Sequence, residues 1–416
     1  MSEIKCIFDL LWRGLNLHEW QETLFKTDYV ICVHICINLC IMKSEELLRK
    51  TISRFVDNEL IPVAREIDEK DEFPWDMFRK LGALGAYGLR YPKEYGGANA
   101  NNTMFCIMCE ELARGSMAVA AFTAMQCLMG TNFIFRYGTA QHKEKFFIPA
   151  IKGEKVVAFA LTEPEAGTDL FGGVHTTAQK VEDGYILNGM KTWITNAPYA
   201  DCFTVLCQTD KTKGAKGLNF FLVEKGTPGL SISPKFSKLG TKGTDVSELA
   251  FENCHIPLEN QLGADGRGIS NLTAILAEIR IMTAALSLGL ARAAFDASVQ
   301  YAKERVQFNK PIGKFQAIQL KIGTMATEIE ASKHLLYHTT KLLDEGKQCT
   351  KEASMAKYFI SEVACRAADE ATRIFGAYAY SMEYPVQRFY RDTRFLLYGG
   401  GTSEILQTII AKEVGL

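Results

Sequence analysis

The stretch ALTEPEAGTDLFG, Ala160 to Gly172, marks the point where the texture of the chain changes. Its TEPEAGTD core offers the side chains that turn and cap the backbone, so it reads as a loop between two kinds of structure. Upstream, in residues 42–155, Leu47, Leu48, Ile52, Phe55 and Val56 recur with helical spacing, and similar patterns run through 104–112 and 118–135. An N-terminal helical domain is expected there. Around and after the loop, in 156–268, short runs such as CFTVLCQT, GLNFFLVE and ELAFENCHI alternate with DG, NG, KG and PG turns, which predicts a small central β domain. In 269–416 a period of about 3.6 returns over Leu272 to Arg305, Ala317 to Glu345 and Glu352 to Phe375, with Pro and Gly mainly at the junctions. These segments predict helix hairpins packed as a bundle. The class is α+β in three blocks, and no internal repeat or low-complexity linker separates them.

A chain of 416 residues with 47% apolar and 23% charged residues can bury a large core. Lys plus Arg number 47 against 48 for Asp plus Glu, so the net charge of -1 gives no general attraction for nucleic acid or an anionic membrane. The twelve cysteines are scattered and read as reduced thiols, with Cys106 and Cys109 as core residues of a helix. Residues 1–41 form a leader of open status: either a functional arm or an addition upstream of a start at Met42. Its apolar run, Tyr29 to Ile41, is shorter than the ~20 residues that span a bilayer. Glu3, Asp9, Glu19 and Glu22 spoil the acid-poor pattern of an organelle presequence, so the cytoplasm is the expected compartment. Cys32, Cys36 and Cys40 share a helical face and, with His34, offer soft-metal ligands; the expectation is nonetheless no metal. There is no Walker loop, no G-x-G-x-x-G and no H-E-x-x-H, and His334 and His338 are helical neighbours.

Four motifs, in order, resemble the acyl-CoA dehydrogenase family: Ala160 to Gly172; WITNA, Trp193 to Ala197; RVQFNKPIGKFQAIQ, Arg305 to Gln319; and GAYAYSMEYPVQRFYRDTR, Gly376 to Arg394, followed by YGGGTSEI, Tyr398 to Ile405. The resemblance covers about Met42 to Leu416. It implies an N-terminal helical domain, a central β-barrel and a C-terminal four-helix bundle. It also implies FAD, an acyl-CoA substrate, electron-transfer flavoprotein as electron acceptor, and a homotetramer. By the same resemblance Phe159, Leu161, Thr162 and Gly167 approach the flavin, Thr168 touches cofactor and thioester, and Trp193 and Thr195 cover the ring and reach N5. Arg305, Phe308 and Gln316 correspond to residues holding the adenine and pyrophosphate half of a neighbouring subunit's FAD, a task suited to an Arg fork. Arg373, Gly376, Ala377, Thr402 and Glu404 complete the cofactor set, although Arg373, Ala377 and Ala379 stand where the family has Gln, Gly and Gly. Arg280 and Gly401 fall at substrate-binding positions.

Oxidation of an acyl thioester with loss of an α-proton and a β-hydride requires a base across the substrate from the flavin. Many relatives place it before Gly-Thr in the last motif; here that residue is Gly400, whose N–H is expected to donate to the thioester carbonyl. Others place a Glu before the Arg that matches Arg280; here that residue is Ile279. Glu278 is one helical step, about 100°, away and is the candidate base. Two further readings stay open: a flavoenzyme acting on a cyclic, unsaturated or β-substituted acyl-CoA with a relocated or absent base, and a non-catalytic relative that keeps the fold. The run Met117 to Met129, MAVAAFTAMQCLM, is small, flexible and without acid, as either a wide acyl pocket or a helical core requires.

Overall fold

The computed structural model describes residues 42–170 and 172–416. The leader, with Cys32, Cys36, Cys40 and His34, and Phe171 of the first motif lie outside the described residues. The chain divides after Lys50. Described residues 42–50 of the first unit are helical. The second unit, Thr51 to Leu416, holds the helical, β and helical blocks.

Short helices α1 (Ala64–Lys70) and α2 (Trp75–Ala83) lead to α3 (Asn102–Gly115) and α4 (Met117–Ala124), which continues through a π turn, Met125–Gly130, into α5 (Thr131–Tyr137). Asn101 starts α3 by accepting a bond from the Met104 N–H at 2.8 Å. Ser116 ends α3 in extended backbone and caps α4 in turn. Cys106 and Cys109 are buried free thiols on α3. Two segments, Met117–Tyr137 and Gly268–Glu304, are apolar and long enough to cross a membrane, but 89% and 78% of their most apolar windows are buried inside the protein. Their hydropathy is that of core helices.

The middle block is an eight-stranded sheet: β1 (Val157–Ala160), β2 (Thr177–Lys180), β3 (Gly184–Thr195), β4 (Cys202–Gln208), β5 (Leu218–Glu224), β6 (Leu230–Ile232), β7 (Val246–Pro257) and β8 (Gln261–Leu262). Strand order is β6-β7-β3-β2-β4-β5-β8, with β1 parallel to β4. β2 and β4 meet at a single pair, Thr177 with Gln208, so the expected barrel takes the form of two half-sheets hinged there. β3 pairs with β7 antiparallel and loses register twice, between Leu187 and Gly189 and between Lys191 and Ile194. Such bulges bend a strand and re-aim its side chains.

Beyond α7 (Gly268–Thr273), three long helices, α8 (Leu276–Glu304), α9 (Gln316–Asp344) and α10 (Thr350–Phe375), are followed by α11 (Val386–Asp392) and α12 (Ser403–Glu413). Helix α8 packs against α3, α9 and α10 and is buried on most of its faces, which is why its sequence reads as apolar nearly all round. Between α8 and α9 a hairpin, β9 (Val306–Gln307) and β10 (Lys310–Pro311), turns through Phe308 and Asn309, both at positive φ.

The α3–α8 contact is set by one glycine and one ion-pair cluster. A Cβ at Gly289 would lie 2.0 Å from the Glu110 carbonyl oxygen. Arg292, one turn on, binds Glu110 and Glu111, the latter at 2.7 Å. Because the obstructing atom is backbone, Gly289→Ala is expected to force the helices apart and destabilise the protein by about 1–3 kcal/mol. Urea unfolding measures this; an unchanged midpoint would show that the interface is not close-packed there.

Candidate active site

The first two motifs are joined by a buried staple. Past the β3 bulge the Thr192 N–H donates to the Thr162 carbonyl at 2.9 Å. The Lys191 ammonium donates to the Leu161 carbonyl at 3.0 Å and to Glu163 at 2.7 Å. Both ionic side chains are almost wholly buried. Glu163 also accepts from the N–H groups of His175 (2.6 Å) and Thr176 (3.0 Å), which close the loop that carries Thr168. Burial pushes Lys191 below the usual lysine range. Burial alone would raise Glu163, but the Lys191 charge and the donated hydrogen bonds outweigh it and hold the carboxyl low. Sequence reasoning missed this pair, because neither residue signals a partner 28 positions away.

The bulge leaves Trp193 at φ 59° and 60% exposed, its ring edge-on to Phe236. A large indole at positive φ on an exposed strand end is costly unless the site uses it. Thr195 pairs with Val246, and Asn196 beside it is buried with neither amide atom partnered. Phe159 is in the core, stacked on Phe220, while Leu161 and Thr162 are half-buried and Gly167 and Thr168 are exposed.

A second cluster forms where α8 meets the loop before α12. Gly400 and Gly401 are at φ 74° and 105°. A Cβ at Gly400 would lie 2.9 Å from the Thr283 hydroxyl and 3.6 Å from Ile279. The two positions expected to carry a base are therefore neighbours in space, and neither bears an acid. Lys357 of α10 holds the loop by donating to the carbonyls of Gly401 (2.5 Å) and Leu397 (3.2 Å). Burial lowers its pKa to about 8. Thr402 caps α12 through the Ile405 N–H, and Glu404 is exposed in its first turn. Arg280 is 6% exposed, and its Nε has no hydrogen-bond partner. Burial lowers its hold on its proton, and its charge in turn weakens that of Lys357.

Glu278, the expected base, lies in an ionic cluster. Its carboxylate is bound by Arg90 and, at 3.1 Å, by Arg136. Two permanently charged donors occupy the oxygens that would accept a substrate proton. The helical step that separates residue 278 from residue 279 turns the side chain to the N-terminal helices, where this ion pair forms.

A third group lies at the far end of α8, which runs on to Glu304, about 36 Å along the axis from Arg280. Arg305 sits over the Tyr378 ring at 5.1 Å, which brings the third and fourth motifs together. Phe308 is 87% exposed at the hairpin tip, and Gln316 is exposed at the start of α9. Gly376 and Ala377 are exposed, and Arg373 is exposed but paired with Asp369 at 2.8 Å. No group of three or more His, Cys, Asp or Glu arranged for a metal occurs among the described residues.

A helical domain, a β domain presenting an indole from a bulge, and a helical bundle with a glycine loop before its last helix match the architecture expected of a flavin-dependent oxidoreductase acting on thioesters. The N-terminal, middle and C-terminal domain models of acyl-CoA dehydrogenase match residues 42–154, 158–254 and 266–415. The chain is 47% identical over 371 residues to benzylmalonyl-CoA dehydrogenase of Aromatoleum aromaticum, covering 89% of this chain and 97% of that one. It is 38% identical over 370 residues to the caffeyl-CoA reductase-Etf complex subunit CarC of Acetobacterium woodii, covering 89% and 97%. Butyryl-CoA dehydrogenase from Megasphaera elsdenii superposes with a TM-score of 0.85 at 38% identity, over 89% of this chain and 97% of that one. The chain belongs to the acyl-CoA dehydrogenase family. It is an acyl-CoA dehydrogenase-type oxidoreductase with FAD as cofactor, and the exposed Trp193 and the unpartnered Asn196 amide fit such a group.

If the Lys191–Glu163 pair fixes the two motifs, Lys191→Met leaves a buried carboxylate unpaired and is expected to cost about 3–5 kcal/mol, whereas Lys191→Met with Glu163→Leu costs less than the single change. Urea unfolding and flavin content of the purified variants measure both effects. A double variant as unstable as the sum of the singles would rule out direct coupling.

Proposed function

We propose that the protein oxidises an acyl-CoA thioester between Cα and Cβ, works as a homotetramer, and passes electrons to an electron-transfer flavoprotein. The observation that carries this reading is the exposed indole of Trp193, turned out of β3 at positive φ next to Thr192, which bonds the 161–163 segment after β1. FAD, when bound, accepts the β-hydrogen as hydride. Trp193 and Thr195 would cover its ring, the backbone of Phe159 to Thr162 would bond its polar edge, and Gly167 and Thr168 would close the loop against cofactor and thioester. The Gly400 N–H donates to the thioester carbonyl and stabilises the negative charge that develops there, while Gly401 gives the acyl group room beside the Lys357-held loop. Arg305, Phe308 and Gln316, exposed at the far end of α8, reach the FAD of a neighbouring subunit, with Arg373, Gly376 and Ala377 from the adjoining turn and Thr402 and Glu404 at the start of α12. Leu320, one turn after Gln316 on α9 and 66% exposed, supports a subunit contact. The CarC relative is named as part of a complex with Etf, which supports that partner. All eight described cysteines are free thiols, in keeping with a reducing compartment such as the cytoplasm.

A second reading is favoured by the absence of acid at both Gly400 and Ile279. The protein is then an atypical member without a side-chain base, acting on a substituted or unsaturated acyl-CoA. The relatives named for benzylmalonyl-CoA and caffeyl-CoA support it.

Anaerobic titration separates the readings: bleaching of the flavin by saturated straight-chain acyl-CoA supports the first, and bleaching only by substituted thioesters, or reoxidation of the reduced protein by an enoyl-CoA, supports the second. Trp193→Ala is expected to weaken FAD retention by about tenfold or more, through loss of an aromatic contact. Equilibrium dialysis measures it, and wild-type retention would remove Trp193 from the flavin site.

A further inference from the structure

We infer that the acyl pocket takes a thioester bearing a carboxylate on its α-carbon, bound by Arg280, and that loss of this carboxylate as CO2 replaces removal of an α-proton. The inference rests on the acyl-CoA oxidation proposed above and names its substrate class.

Charge supplies the first argument. Arg280 is buried, and among the described residues its guanidinium has neither a hydrogen-bond nor an ion-pair partner. Lone buried charges are costly, and the great majority are paired. Thr283, one turn along α8 from Arg280, lies against Gly400, and Lys357, which feels the Arg280 charge, holds Gly401. Glu413 acts on Arg280 only at a distance, with neither a hydrogen bond nor an ion pair, and the two positions at the loop where the family resemblance puts an acid, Gly400 and Ile279, are uncharged. The nearest acid in sequence, Glu278, is spent on Arg90 and Arg136. A carboxylate carried in by the substrate satisfies Arg280 where the protein does not.

Chemistry supplies the second. In R–CH2–CH(COO⁻)–CO–SCoA the bond from Cα to the carboxylate breaks and CO2 leaves. Its electron pair becomes the Cα=Cβ π bond as the β C–H pair departs as hydride to FAD. The products are R–CH=CH–CO–SCoA, CO2 and FADH⁻; atoms and charge balance, and no base enters. A pocket whose base positions are Gly and Ile is suited to this reaction and unsuited to deprotonation. The Gly400 N–H keeps its task, since negative charge still develops on the thioester oxygen as CO2 departs.

Malonyl-CoA is a redox-inert probe, because it has the α-carboxylate but no β-carbon; acetyl-CoA is the same molecule without the charge. By isothermal titration calorimetry on the FAD-loaded protein, malonyl-CoA is expected to bind at least about tenfold tighter. Arg280→Gln should abolish that preference, and Arg280→Lys should keep part of it. Ile279→Glu, which places a carboxylate beside Arg280, should also reduce it. Equal affinity for the two thioesters in the wild type overturns the inference, as does a preference that survives Arg280→Gln with the fold intact by circular dichroism. With a 2-carboxyacyl-CoA that has a β C–H, one CO2 is expected per flavin reduced, and flavin reduction without CO2 also overturns it. If no thioester bleaches the flavin, the proposed oxidation itself fails, while the malonyl-CoA preference still decides whether Arg280 binds the α-carboxylate.

Discussion

The site depends on an ion pair that water does not reach. Glu163 of the first motif and Lys191, two residues before the second, are 28 positions apart and meet with essentially no exposed surface. The pair has few alternative partners, since Glu163 already receives two backbone N–H groups and Lys191 a backbone carbonyl. Its geometry fixes both ends at once: the 161–163 segment after β1 and the bulge that turns Trp193 outward. A hydrophobic pair of the same volume would hold the chains together as strongly, but would not dictate the bulge register.

The glycine loop shows the opposite strategy. Gly400 and Gly401 have no side chains to fix them, and their left-handed backbone suits glycine above other residues. Rigidity is supplied from outside, by Lys357 on two carbonyls and by the Thr402 cap. Lys357 is thereby held within reach of the Arg280 charge, and burial brings its pKa to about 8 against the opposing effect of Glu362 and Glu404.

The succession of helix, strand and helix was legible because it is written in period: residues such as Leu47 to Val56 and the CFTVLCQT run show it without any partner in view. The glycine turn and the WITNA motif were also legible as short patterns. What periodicity does not carry is pairing. Nothing local marks Lys191 as the partner of Glu163, or Arg90 and Arg136 as the partners of Glu278, since those contacts span 28, 188 and 142 positions. The ion pairs of Glu278, the expected base, were illegible for that reason. Its distance in sequence from the base position was one residue, but on α8 one residue separates the wall facing Gly400 from the wall facing the N-terminal helices.

That separation also explains why α8 tolerates opposite charge logic on residues two apart. At 278 a carboxylate is held by two arginines; at 280 an arginine has no hydrogen-bond or ion-pair partner among the described residues, and Glu413 acts on it only at a distance. A buried charge is retained against its desolvation cost when something else supplies the partner, and in the reaction inferred above that partner is the substrate carboxylate. The acid missing from the chain and the unpaired arginine are then one feature: the group that leaves the substrate is also the group that neutralises the pocket while it is bound.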